Sequence, residues 1–240
     1  MDIKFKNKTV IVTGSNSGNG YAIASAYAKL QAKVIRIDKR FNSKLKSDDI
    51  KFDLENYKNV KSLVRKIKKI SKKVDILVNN AGISEQCPYP YINFKSYHKT
   101  LAVNLHAPFY LISYLSKMMP KNSSIIQITS LGGKFGFKDN PSYQISKAGL
   151  TQLTKCAAID LAKKKIRVNN VCPGYIKTNM TKKSFKNISK SFERMKRTIS
   201  NRWGLPEDLV GSVLFLSSEY SSYINGATLD VDGGWTVKGI

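Results

Sequence analysis

The 240-residue sequence predicts a single α/β domain built on a doubly wound parallel sheet. Three observations predict it. Short apolar, β-branched runs alternate with helical patterns along the chain. Several runs are apolar throughout, as in strands covered on both faces. A glycine-rich turn separates the first run from the first helix, and no linker or internal repeat interrupts the series. A domain of this length buries about 70–75% of its unfolded surface, so it needs neither disulfide nor metal to hold a core.

Thr9–Thr13 (TVIVT) reads as the first strand. A helix begins near Gly18 and continues through Tyr21–Leu30. Lys33–Asp38 (KVIRID) is the next strand. Over Asn56–Ser71, Val60, Leu63, Val64, Ile67 and Ile70 recur at the i, i+3, i+4, i+7 spacing of a core-facing helix. Lys61, Arg65, Lys66, Lys68, Lys69, Lys72 and Lys73 fill its wet face. Val74–Val78 (VDILV) is a strand, followed by helical patterns at Phe94–Leu101 and Val103–Met119. Ser124–Thr129 (SIIQIT) is a strand, Ser142–Lys163 a long helix and Ile166–Val171 (IRVNNV) a strand. Ser184–Ile199 is a charged helical insertion. Pro206–Ser217 opens with proline in a first helical turn, and Ala227–Val231 closes the series.

Forty-one Lys and Arg against sixteen Asp and Glu give a formal charge of +25. Such a charge suits an acidic partner: nucleic acid, an anionic substrate or an acidic carrier protein. The basic residues are spread along the whole chain, however, and the densest cluster lies on the solvent face of a core helix. Solvated lysine faces account for both facts. No helix-turn-helix signal, zinc spacing or RNA-recognition aromatic motif accompanies the charge, so no specific nucleic-acid partner is expected. Cys87, Cys156 and Cys172 are widely spaced and form no CxxC pair. Each reads as a small buried hydrophobe in a reducing compartment, with no zinc site or disulfide framework. No apolar stretch of signal-peptide length precedes the glycine loop, and no 18-residue apolar run occurs. A cytoplasmic protein outside the membrane is expected.

The turn after the first strand is Gly14-Ser15-Asn16-Ser17-Gly18-Asn19-Gly20. Glycines there let backbone approach a pyrophosphate, and the helix behind offers free N–H groups and a positive dipole end. The spacing is G-x-x-x-G-x-G, not G-x-G-x-x-G. Asp38 ends the second strand, where a carboxylate bonds ribose hydroxyls and repels a 2′-phosphate. This argues for NAD over NADP, although Lys39 and Arg40 pull the other way. Tyr143 and Lys147 share one face of the long helix at i and i+4. An ammonium there favours the phenolate and lowers the tyrosine pKa toward a range useful for proton transfer. Ser130 stands where a strand end meets the ligand crevice of an open parallel sheet.

These pieces together resemble the short-chain dehydrogenase/reductase family over essentially the full length. In order they are Thr13-Gly14-x-x-x-Gly18-x-Gly20, Asp53, Asn79-Asn80-Ala81-Gly82, Asn104, Ser130, Tyr143-x-x-x-Lys147, Pro173-Gly174 with Thr178, and Val231-Asp232-Gly233-Gly234. The resemblance implies a Rossmann-like domain, a nicotinamide cofactor, no metal, and a homotetramer or homodimer. It implies that Tyr143 is the acid/base, that Lys147 lowers its pKa and binds the nicotinamide ribose, and that Ser130 polarises the carbonyl. Asn104 would hold a water linking Lys147 to solvent. The loop 14–20 would take the pyrophosphate. Asp53 would meet the adenine edge, with Leu54 beside it. Asn80 and Gly82, with Ala81 between them, would line the adenosine side. Thr178 and the backbone of Ile176 would hold the carboxamide beyond Pro173 and Gly174. Asn19 stands where the family often has an apolar residue, and a local packing difference is expected there.

The stretch from Ile176 to Arg202 is expected to form a substrate lid. It holds Lys177, Lys182, Lys183, Lys186, Lys190, Arg194, Lys196, Arg197 and Arg202 against one acid, Glu193. That enrichment would suit an anionic substrate. The Arg202–Asp208 stretch and the ending Asp232-Gly233-Gly234-Trp235 resemble members acting on sugars and sugar acids, such as gluconate 5-dehydrogenases and deoxygluconate dehydrogenases. The resemblance therefore implies oxidoreduction of a secondary alcohol on a sugar, sugar acid or polyol. The competing implication is an NADPH-dependent 3-oxoacyl-carrier-protein reductase. The helices at 103–119 and 142–163 would form the subunit interface through residues such as Phe109, Leu111, Leu150 and Leu153.

Overall fold

The computed structural model describes residues 3–41 and 44–238. Seven strands form one parallel sheet: β1 (Thr9–Thr13), β2 (Lys33–Asp38), β3 (Asp49–Lys51), β4 (Ile76–Asn79), β5 (Ser124–Ile128), β6 (Arg167–Pro173) and β7 (Thr228–Val231). Their spatial order is β3-β2-β1-β4-β5-β6-β7. The chain winds outward from β1, then returns to pair β4 on the other side of β1. That reversal opens a crevice at the C-terminal ends of β1 and β4, where doubly wound sheets take their ligands.

Helices cover both faces, which explains the continuous apolar strands. One core packs Ile11, Leu77 and Ile125 of the sheet against α2 (Val60–Ile70), α4 (Ala107–Leu115) and α5 (Pro141–Asp160). The other packs Val10, Val12, Val78 and Ile126 against α1 (Gly18–Lys29) and α8 (Val210–Ser217). Val60, Leu63, Val64 and Ile67 are buried as their spacing requires, with Ile70 partly buried beside them. Each fully buried leucine or isoleucine contributes about 1.5–3 kcal/mol.

The departures have local causes. β3 is three residues long and carries Asp49 and Lys51, so no apolar run marks it; the Arg36–Asp49 ion pair joins it to β2. The 56–71 helix begins instead as a 3₁₀ turn at Leu54–Asn59, capped by the Asp53 carboxylate, before α2. The two patterns at 94–119 belong to one helical run: α3 (Phe94–Leu101), a π turn at Ala102–His106, then α4. The charged insertion is two helices, α6 (Lys182–Lys186) and α7 (Ile188–Lys196). They divide at Asn187, whose side chain accepts from Lys190 N at 3.0 Å. A short α9 (Trp235–Lys238) follows β7.

Cys87 and Cys172 are buried, but Cys156 is exposed on the outer face of α5, so it is not a core hydrophobe. Leu111 and Leu150 are buried core residues and cannot serve a subunit interface, and Leu153 packs against the core. Phe109 stays exposed, with Ile145 and Ile159 of α5. Among the described residues, no helix is long and apolar enough to cross a membrane.

Candidate active site

The glycine turn is shaped by close packing. Gly14 has φ +64°, and its N–H donates to Ile37 O at 2.8 Å. A Cβ on Gly14 would lie 2.8 Å from Ala81 Cα, so the turn rests on the end of β4. A Cβ on Gly20 would lie 2.1 Å from Gly14 O, which no side chain can occupy. Asn80 ties β4 to the turn: Nδ2 donates to Thr13 O at 2.9 Å and to Gly14 O at 3.1 Å. Ser17 caps α1 with extended backbone and no side-chain bond, and no acid lies in the first turn. The first N–H groups are thus left for an anion.

A cleft of about 360 Å³ runs from this turn to the end of β5. Gly14, Ser17, Gly18, Asn19, Asp38, Asp53, Leu54, Asn80, Ala81, Gly82, Ser130, Tyr143, Lys147, Pro173, Gly174, Ile176 and Thr178 all line it. Ser15, Asn16 and Gly20 do not. The buried Ser15 hydroxyl donates to Ile37 O at 3.4 Å, and Asn16 N donates to Asp38 Oδ2 at 3.0 Å. These three residues hold the shape of the loop. The other Asp38 oxygen accepts from Arg40 N at 3.1 Å. Asp53 Oδ1 accepts from Glu55 N at 3.0 Å.

Lining residues that the sequence did not single out include Phe52 and Ile83; Lys39, weighed above against Asp38, and Asn179–Thr181 of the expected lid line it too. Phe52 directly follows the unforeseen β3. Ile83 adjoins a recognised motif, and that adjacency was the available signal. Asn19 Oδ1 is buried with no hydrogen-bond partner inside the protein. An orphaned acceptor in the cleft, a glycine turn open to phosphate and a carboxylate at the far rim fit a dinucleotide.

At the other end, α5 presents Tyr143 and Lys147 one turn apart. Asn140 caps this helix, accepting from Tyr143 N at 3.4 Å. Ser130 follows β5; its hydroxyl accepts from Gly132 N at 3.2 Å, and Ser130 and Tyr143 both line the cleft. Burial raises the Tyr143 pKa above its ordinary value, opposed by the nearby Ser130 hydroxyl. Lys147 is not among the groups that move the Tyr143 pKa. Lys147 Nζ donates to Ile128 O at 2.7 Å and lies 5.8 Å from the Tyr143 ring centroid. Burial brings the Lys147 pKa down to about 8.

Asn104 is buried within the π turn and does not line the cleft. Oδ1 accepts from Ile83 N at 2.9 Å. Nδ2 donates to Ile83 O at 2.9 Å and to Ser146 Oγ at 3.0 Å. The Asn104 side chain therefore clamps the loop after β4 and leaves Oδ1 one further lone pair. A Cβ at Gly82 would lie 3.5 Å from both Asn104 Oδ1 and Lys147 Nζ, which places the clamp beside the catalytic lysine candidate.

None of the nine basic residues of 176–202 lines the cleft. Arg202 is bound to Asp208, and Arg197 to Glu193 within α7.

A family model described as enoyl-(acyl carrier protein) reductase matches residues 14–236. A 3-oxoacyl-[acyl-carrier-protein] reductase of Buchnera aphidicola (subsp. Schizaphis graminum) is 35% identical, covering 97% of this chain and 98% of its own. The 5-keto-D-gluconate 5-reductase of Escherichia coli K12 is 31% identical, covering 96% of each. Among solved structures, a gluconate 5-dehydrogenase of Burkholderia cenocepacia in complex with NADP and tartrate superposes with TM-score 0.90 at 27% identity, covering 98% and 97%. A 4-hydroxyisoleucine dehydrogenase complexed with NADH gives TM-score 0.90 at 30% identity, covering 96% and 99%.

Proposed function

Since the chain belongs to the short-chain dehydrogenase/reductase family, we propose that it is an NAD(H)-dependent oxidoreductase interconverting a secondary alcohol and a ketone on a sugar acid or related polyol. The observation that carries this reading is the Ser130–Tyr143 hydroxyl pair, with buried Lys147 one turn along, at the inner end of a cleft whose outer end holds Asp38.

A nicotinamide bound in the cleft would supply or accept the hydride. Tyr143 gives the proton to the carbonyl oxygen in reduction and takes it back in oxidation. Ser130 donates a hydrogen bond to the same oxygen. The Lys147 ammonium balances the charge left on the phenolate. Gly14, Ser17, Gly18 and Asn19 would hold the pyrophosphate. Asp53, Leu54, Asn80, Ala81 and Gly82 would border the adenosine. Pro173, Gly174, Ile176 and Thr178 would border the nicotinamide. Asp38 supports NAD, because a 2′-phosphate there would meet a carboxylate. Residues 176–202 would serve as the lid over the substrate. Exposed Phe109, Ile145 and Ile159 support a homotetramer or dimer joined through α4 and α5. Three free cysteines support a cytoplasmic location.

The sugar-acid assignment draws on the gluconate relatives. The carrier-protein reductase reading is favoured by the Buchnera relative instead. Titration with NADH and NADPH at two salt concentrations, followed by turnover of 5-keto-D-gluconate and of a 3-oxoacyl thioester, separates them. Tighter NADH binding with turnover of the keto acid is the expected result. Tighter NADPH binding with turnover of the thioester would reverse the order.

A further inference from the structure

Both tryptophans of the chain, Trp203 and Trp235, meet at the end of β6. Tyr175 lies against both, its ring centroid 5.5 Å from Trp203 and 6.5 Å from Trp235. Its chain neighbours Gly174 and Ile176 line the cleft. The Arg194 guanidinium of α7 sits 4.7 Å from the Tyr175 ring centroid and 5.7 Å from that of Trp203. It also donates to Ser184 Oγ on α6. Trp203 Nε1 donates to Ser191 Oγ of α7 at 2.8 Å, and Phe185 of α6 packs edge-on to Trp203 at 5.9 Å. A guanidinium is held over aromatic faces by their quadrupoles, while its planar edge remains able to donate. One side chain therefore joins α6, α7 and the residue between two cleft-lining positions. The cleft edge next to this box is the tight turn at 178–181, where Thr181 Oγ1 donates to Ile176 O at 2.6 Å and accepts from Thr178 N at 3.0 Å.

We propose that Arg194 is the positioning residue of the lid: its stack on Tyr175 and Trp203 and its bond to Ser184 hold α6 and α7 against the end of β6, which keeps residues 178–181 seated on the cleft. This rests on reading 176–202 as the substrate lid. Arg194 does not line the cleft and touches no group assigned to the chemistry.

The test compares the full-length protein with Arg194→Ala and Arg194→Lys, using trypsin, tryptophan emission and steady-state turnover of 5-keto-D-gluconate. In Arg194→Ala, cleavage within 182–197 rises about tenfold, as expected when a local unit loosens without global unfolding. Emission shifts to the red, because both fluorophores sit in or beside the box. KM rises about tenfold while kcat stays within about twofold, the signature of lost positioning rather than lost chemistry. Arg194→Lys keeps a cation over the rings but loses the planar fork, and falls between. Wild-type cleavage in Arg194→Ala overturns the proposal. So does faster cleavage spread over the whole chain, which would report general destabilisation. Should Arg194→Ala fail to fold, Ser184→Ala removes the hydrogen bond alone and is expected to raise lid cleavage by a smaller factor; no rise overturns the proposal. If the wild-type protein does not turn over 5-keto-D-gluconate, the substrate assignment falls, while cleavage and emission still decide the role of Arg194.

Discussion

At the scale of single residues, the site depends on how burial and contact set protonation. Tyr143 lines the cleft together with Ser130 and shares a helix face with Lys147. Tyr143→Phe removes the proton donor and leaves the cleft shape intact. We expect turnover to fall by about 10²–10⁴-fold, the usual worth of a positioned acid, with NADH affinity changed only a few-fold by fluorescence titration. Retained turnover would remove Tyr143 from its role. The pH dependence follows from two shifts of opposite sense. Tyr143 is raised, so it stays protonated through neutral pH. Lys147 is lowered to about 8, so it is charged below that pH and neutral above it. Reduction needs the protonated tyrosine and the ammonium together. Its kcat/KM with NADH should therefore be level below pH of about 8 and fall above it; a profile flat to high pH would contradict the Lys147 assignment. Asp38 holds the loop through Asn16 and, in the proposed NAD complex, would also meet the ribose. Asp38→Ala should weaken NADH and shift preference toward NADPH, as measured by the ratio of dissociation constants. An unchanged ratio would leave Asp38 as a loop staple only.

At the scale of elements, the strand–turn–helix unit was readable because each of its needs falls on a particular residue. Gly20 lets α1 press on the turn: with Gly14 O 2.1 Å from where a Cβ would sit, the helix must move to admit a methyl group. Gly20→Ala should cost about 1–3 kcal/mol of stability, as overpacking generally does, and weaken NADH binding with it. Thermal melting and titration check both; an unperturbed variant would show that α1 can slide freely. The catalytic helix was legible in outline because Tyr143 and Lys147 share its face. The π turn at Ala102–His106 was not, since no residue type marks an extra helical residue. β3 was invisible because two of its three residues are charged, and its place depends on Arg36 reaching Asp49. The division of the charged insertion at Asn187 was signalled only by a single asparagine, which reads equally as a solvent-facing helix position.

At the scale of the whole molecule, the apolar surface left uncovered points to assembly. Ile159 is 75% exposed and Phe109 56% exposed, on the two helices proposed to join subunits. Ile159→Glu combined with Phe109→Glu should dissociate the oligomer by sedimentation velocity while leaving the monomer folded; an unchanged sedimentation coefficient would move the interface elsewhere. The sequence by itself determined the parallel α/β order, the glycine turn, the cleft carboxylate and the Ser130, Tyr143 and Lys147 set, because those depend on residue type at short spacing. Only the tertiary structure decided which polar atoms are already used. The amide of Asn104 bonds Ile83 and Ser146, the Lys147 ammonium donates to Ile128 O, and Asp38 is bonded to Asn16. Arg194 is stacked on two rings, Tyr175 and Trp203, on either side of it in the chain. Hydrogen-bond partners and burial are set by which segments meet, and a linear pattern carries residue chemistry without recording those meetings.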